Sequence, residues 1–92
     1  MKTMLTWSVK PGQSLHEAIR RFLAGEAAPV KGVKLLGRWH AVDLSTGFSL
    51  YETDDITALY ADAARWADIL DLKTHIVIED SEAGPVLAGI KK

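Results

Sequence analysis

A chain of 92 residues, 48% hydrophobic and 25% charged, with a formal net charge of −1, has the composition of one small ordered globular domain spanning residues 1–92. The balanced charge offers no broad field for nucleic acid or an anionic membrane, and the absence of Cys excludes disulfides, thiolate metal sites and a thiol nucleophile. No segment reaches membrane-spanning length, and the short apolar start, interrupted by Thr6 and Ser8, does not read as a secretory leader, so a cytoplasmic protein is expected.

Met4 to Val9 alternates, with Leu5, Trp7 and Val9 on one side and Met4, Thr6 and Ser8 on the other. Period two predicts a strand with two different faces. Lys10-Pro11-Gly12-Gln13 stops it, because Pro cannot donate to the ladder. Ser14 and Glu17 have the S-x-x-E spacing of a helix start. Leu15, Ala18, Ile19, Phe22 and Leu23 then recur at three- and four-residue spacing, with Arg20 and Arg21 off that stripe. Gly25 is the expected C-terminal stop, and Glu26 to Gly32 the loop after it.

Val33 to Thr53 reads as an antiparallel hairpin around a turn from Val42 to Gly47. Strict alternation puts Leu35, Gly37, Trp39 and Ala41 on one face of its first strand and Leu36, Arg38 and His40 on the other. On the second strand Phe48 and Leu50 oppose Ser49 and Tyr51. Gly37 inside a strand signals a bulge or the close approach of another group. Asp54 or Asp55 caps a second helix with a stripe of Ile56, Leu59, Tyr60, Ala63 and Ala67, and with Trp66 on its flank. From Asp71 to Glu79 alternation returns, with Leu72, Thr74, Ile76 and Ile78 against Lys73, His75 and Val77. From Asp80 onward a weak tail helix is expected, with Gly84, Pro85 and Gly89 against it.

Strand, helix, strand, strand, helix, strand is a split βαβ pattern. The predicted class is α+β: a ferredoxin-like βαββαβ domain, a four-stranded antiparallel sheet with helices on one face. The apolar set Leu5, Trp7, Val9, Leu35, Trp39, Phe48, Leu50, Ile76 and Ile78 is expected beneath the helices. The other face would carry Met4, Thr6, Ser8, Leu36, Arg38, His40, Ser49, Tyr51, His75 and Val77. That set holds too much apolar surface to be left in water, so a second sheet is the expected cover: a homodimer through the sheet face.

The run Gly32-Val33-Lys34-Leu35-Leu36-Gly37-Arg38-Trp39-His40 resembles the signature of an uncharacterised bacterial family, domain of unknown function 3303. Thr6-Trp7, Gly47-Phe48, Asp54-Asp55 and Trp66-Ala67-Asp68 fit the same pattern. That family is similar to the dimeric α/β-barrel superfamily of small monooxygenases, lactone isomerases and haem-binding chlorite-degrading enzymes. The resemblance implies the fold and a dimeric α/β barrel. It brings no catalytic residues, because the family has no assigned reaction.

Among residues with chemistry, His40 can act as acid, base or ligand, and Arg38 two positions away can hold a carboxylate or enolate. Tyr51 is expected across the hairpin on the same face, able to share a proton with His40. The competing reading of all three is a polar network and cross-strand packing at a dimer seam. Trp7, Trp39 and Trp66 are candidate walls of a flat apolar pocket, with Asp68 as polar anchor; core packing is the alternative. His16, His40 and His75 lack ligand spacing, so no metal is expected, and no motif calls for a cofactor. The leading functional expectation, resting on the missing catalytic set, is a non-enzymatic or regulatory homodimer that binds a small molecule weakly or not at all. The second is a cofactor-independent enzyme, monooxygenase- or isomerase-like, acting on a small planar or carbonyl substrate with His40 as acid/base; an interaction module is a third. Arg38, His40 and Tyr51 lining an open cavity would favour chemistry, and their closure by mutual hydrogen bonds would disfavour it.

Overall fold

The structure, a computed structural model, describes residues 1–90. Its elements run β1 (Lys2–Val9), α1 (Leu15–Leu23), β2 (Lys34–His40), β3 (Gly47–Glu52), α2 (Ile56–Ala64), β4 (Leu70–Val77) and α3 (Asp80–Ala88). The four strands form one antiparallel sheet in the order β2-β3-β1-β4. With α1 and α2 as the two crossovers, this is the ferredoxin-like α+β arrangement. Among the described residues no helix is long and apolar enough to cross a membrane.

The helix ends follow the local chemistry. Ser14 Oγ accepts from the Glu17 amide at 3.2 Å, and Asp55 Oδ1 accepts from the Ala58 amide at 3.1 Å. Glu17 does not complete a reciprocal box; its carboxylate accepts from Arg20 Nη2 at 2.6 Å. Beyond α1 the chain leaves the helix at Gly25, whose φ of +84° a side chain would resist.

Strand register decides which side chains meet the helices. Directly paired residues share a face. Leu5 pairs with Ser49 and Thr74, Trp7 with Gly47 and Leu72, and Thr3 with Tyr51 and Ile76. On the hairpin Leu35 pairs with Tyr51, Arg38 with Ser49 and His40 with Gly47. The pairing slips between Leu35 and Gly37, so Leu36 is an extra residue in a β-bulge.

This bulge reverses the alternation expected for β2. Beyond it, Arg38 and His40 lie on the helix side, and Trp39 lies on the open side, paired with Phe48 and 56% exposed. The β3 faces differ from expectation as well: Ser49 and Tyr51 point in, while Phe48 and Leu50 point out with Met4 and Thr6. A register set by the neighbouring strands overrides apolar content when both faces carry apolar residues. The close approach expected at Gly37 is also present: a Cβ there would lie 2.6 Å from Trp39 Cη2, so the indole rests over the glycine.

Leu5, Val33, Tyr51 and Leu59 form the buried core, with Trp7, Leu35, Ala63 and Leu72 packed against it. On α2 the expected stripe holds for Leu59 and Ala63, whereas Ile56 and Tyr60 are exposed and Asp62 is buried. Helix α3 forms despite Pro85 within it and buries none of its residues.

Thr3 is completely enclosed, and its hydroxyl has no hydrogen-bond partner among the described residues. An orphaned buried hydroxyl costs roughly 1–3 kcal/mol, so Thr3→Val, nearly equal in shape, is expected to raise the unfolding free energy by about 1 kcal/mol. Urea unfolding measures this; a loss of stability would reveal a partner for the hydroxyl.

Candidate functional site

Between α1 and the inner face of the sheet lies a cavity of ≈ 430 Å³. Its origin is in the sequence of β3. Ser49, small and fully buried, faces inward on this central strand and borders the cavity, while the space above the inward Gly47 is taken by Trp7. Trp7 covers Gly47 so closely that a Cβ there would overlap the indole ring. Helix α1 does not descend into the remaining space. Its apolar face, Leu15, Ile19 and Phe22, borders the cavity, and Phe22 is still 40% exposed. The far wall is Trp66 with Leu70 and Leu72, and the mouth is bordered by the hairpin turn at Leu44 to Thr46. Thr46 Oγ1 donates to the Trp7 carbonyl at 2.7 Å and ties that turn to β1.

Polar groups enter this apolar space at few places. Arg38 donates from Nη2 to the Ala27 carbonyl at 2.8 Å and from Nε to Ser49 Oγ at 3.3 Å, and its guanidinium lies 5.8 Å from the Phe22 ring centre. His40 stands edge-on between two aromatic rings, 5.6 Å from Trp7 and 5.4 Å from Phe22. Tyr51 is buried at the other end of the same inner face and borders the cavity. Asp62 also borders it, but its carboxylate is already engaged: Oδ1 accepts from the Val30 amide at 3.0 Å and from Arg65 Nη2 at 2.7 Å. Among the described residues no group of three or more His, Asp or Glu side chains is placed to hold a metal ion.

The structure thus gathers Arg38, His40, Tyr51, Trp7 and Trp66 around one cavity and leaves two expected members out. Trp39 lies on the opposite face of the sheet, because the Leu36 bulge inverts its strand. Asp68 pairs with Arg21 outside the cavity, at 3.1 and 2.5 Å, and that guanidinium holds its carboxyl below the usual carboxylate range. His40 and Tyr51 share a face without meeting across the hairpin. Tyr51 is opposite Leu35 and His40 opposite Gly47, four strand positions away, about 13 Å along the backbone. Sequence reasoning missed Ser49, Asp62 and the α1 residues as cavity walls. The one available signal was Gly37, whose bulge shifts the alternation that places Arg38 and Ser49 together.

No curated protein and no solved structure matches the chain significantly. One family model does, over residues 1–91, and it takes in the whole of the sheet, α1, α2 and every residue of the cavity. The chain therefore belongs to the family described as domain of unknown function (DUF3303).

Proposed function

We propose that this protein is a homodimer that binds a small molecule in the cavity between α1 and the sheet. The observation that carries the reading is a largely apolar space, of a size typical for metabolite sites, entered by a few polar groups from rigid strands. A thermal-shift screen against metabolites tests it; a ligand should raise the melting temperature by mass action, with saturation.

The dimer rests on the open face of the sheet. Trp39, Phe48, Leu36 and Leu50 lie there without cover from the chain's own helices. Lys2, Lys34 and Lys73 share that face with Glu52 and Asp71, a mixture of both signs that suits pairing with a second copy. Sheet-to-sheet pairing of this kind would give the dimeric α/β barrel. Sedimentation equilibrium should return roughly twice the chain mass of 10.1 kDa. Trp39→Lys should shift it to the monomer, and a monomeric parent protein would refute the pairing.

A second reading, catalysis without a cofactor on a small planar or carbonyl substrate, draws on His40. Its ring borders the cavity and takes part in no hydrogen bond among the described residues, and it shares a face with Arg38. His40 would move a proton while Arg38 stabilises negative charge. His40→Ala should then weaken binding of a ligand from the screen about fivefold to tenfold and abolish turnover. Unchanged affinity would remove His40 from the site.

A further inference from the structure

Resting on the reading of the cavity as a binding site, we infer that its ligand is a small aromatic or otherwise planar carboxylate, with the carboxylate on Arg38 and the ring in the apolar space lined by Phe22, Ile19, Trp66 and Leu72.

Charge points to this ligand class. Arg38 is partly buried, yet no carboxylate lies within ion-pair distance of it among the described residues. Its partners are neutral, a backbone carbonyl and a serine hydroxyl. Those bonds occupy Nε and one Nη2 hydrogen, and among the described residues Nη1 has no protein acceptor. The other charged group at the cavity, Asp62, is cancelled by its own ion pair with Arg65. The space therefore carries one uncompensated positive charge against aromatic walls. A half-buried cation without a counter-ion is less well solvated than one in water, and an anion that brings its own planar apolar body compensates the charge while filling the space. Guanidinium and carboxylate match in planar, two-point geometry, which favours a carboxylate over a spherical anion. The carbonyl of Ala27 fixes the guanidinium beforehand, so little side-chain entropy remains to be lost on binding.

Isothermal titration with three probes of one shape tests this: 2-naphthoate, neutral 2-naphthamide and cationic 2-naphthylmethylammonium. The expected order is naphthoate at least tenfold tighter than the amide, with the ammonium weakest. Arg38→Gln should cost naphthoate about tenfold and leave the amide within twofold, and Arg38→Lys, which keeps the charge without the planar fork, should fall between. Melting curves of both variants confirm that the fold survives. Equal affinity for naphthoate and naphthamide, or no effect of Arg38→Gln on naphthoate, overturns the carboxylate assignment and leaves the cavity standing as a neutral aromatic site. Absence of binding by all three overturns both the assignment and the cavity reading.

Discussion

Gly47→Ala is expected to lower the unfolding free energy by about 2–3 kcal/mol, the upper part of the ~1–3 kcal/mol typical of overpacking. Gly47 is buried at the start of β3, opposite Trp7 on one side and His40 on the other. An added Cβ would overlap Trp7 at Cζ2, Cε2 and Cη2. The glycine φ is not among the positive values, so the cost is steric and not conformational. Neither neighbour yields easily. The β1–β3 ladder and the hydrogen bond from Thr46 to the Trp7 carbonyl hold the backbone, and the His40 ring stands edge-on against the indole. In a chain of this size the loss corresponds to roughly 10–20 °C in melting temperature. Urea unfolding should show a lower midpoint at unchanged slope. Because Trp7 is also a wall of the cavity, ligand affinity should fall with stability. Loss of stability below about 0.5 kcal/mol would mean that Trp7 does not lie over Gly47.

Asp62→Ala should cost about 2–3 kcal/mol for a different reason. Asp62 is only 5% exposed, and one of its oxygens holds both the Val30 amide and Arg65. Arg65 in turn donates to the carbonyls of Glu26 at 3.1 Å and Ala28 at 2.8 Å. These contacts bind the loop after α1 to α2. Removing the carboxylate leaves the Val30 N–H orphaned and frees the loop. Arg65 is half in water and recovers part of its solvation, so the cost stays below that of a fully buried pair. The same loop carries the Ala27 carbonyl that orients Arg38, so the variant should also weaken carboxylate binding. Asp62→Asn keeps an acceptor for Val30 and should lose about half as much. Hydrogen exchange at the Val30 amide gives the local readout: protection should collapse in Asp62→Ala, and retained protection would show that Asp62 does not hold that amide.

Most of the architecture was legible because it rests on local chemistry. Ser14 and Asp55 mark helix starts by their own side-chain hydrogen bonds, and Gly25 marks a helix end by its positive φ. The alternation of β1 and β4 is uninterrupted, and their faces follow from it, but Ile76 and Ile78, expected beneath the helices, are 63% and 59% exposed at the end of an edge strand that the helices do not cover. The hairpin was legible as a hairpin but not in its orientation. One extra residue at Leu36 inverts everything after it on β2, so Arg38 and His40 exchange sides with Trp39. Gly37 signalled the bulge, but alternation counted without it assigns the wrong faces. On β3 the inward Ser49 sits where composition favours Phe48 or Leu50, because neither face of the sheet is left purely polar. Asp62 was illegible for a related reason: a carboxylate at a core position of a helix reads as surface until its partners, 32 residues upstream and three downstream, are seen in space.

Nuclear Overhauser contacts of the His40 ring test the central placement most directly. Cross-peaks are expected from the His40 ring protons to the Phe22 and Trp7 rings, with the Trp39 ring in contact with Gly37 and Phe48 instead. Contacts from His40 to Phe48, with none to Phe22, would put His40 and Arg38 on the open face and contradict the cavity site.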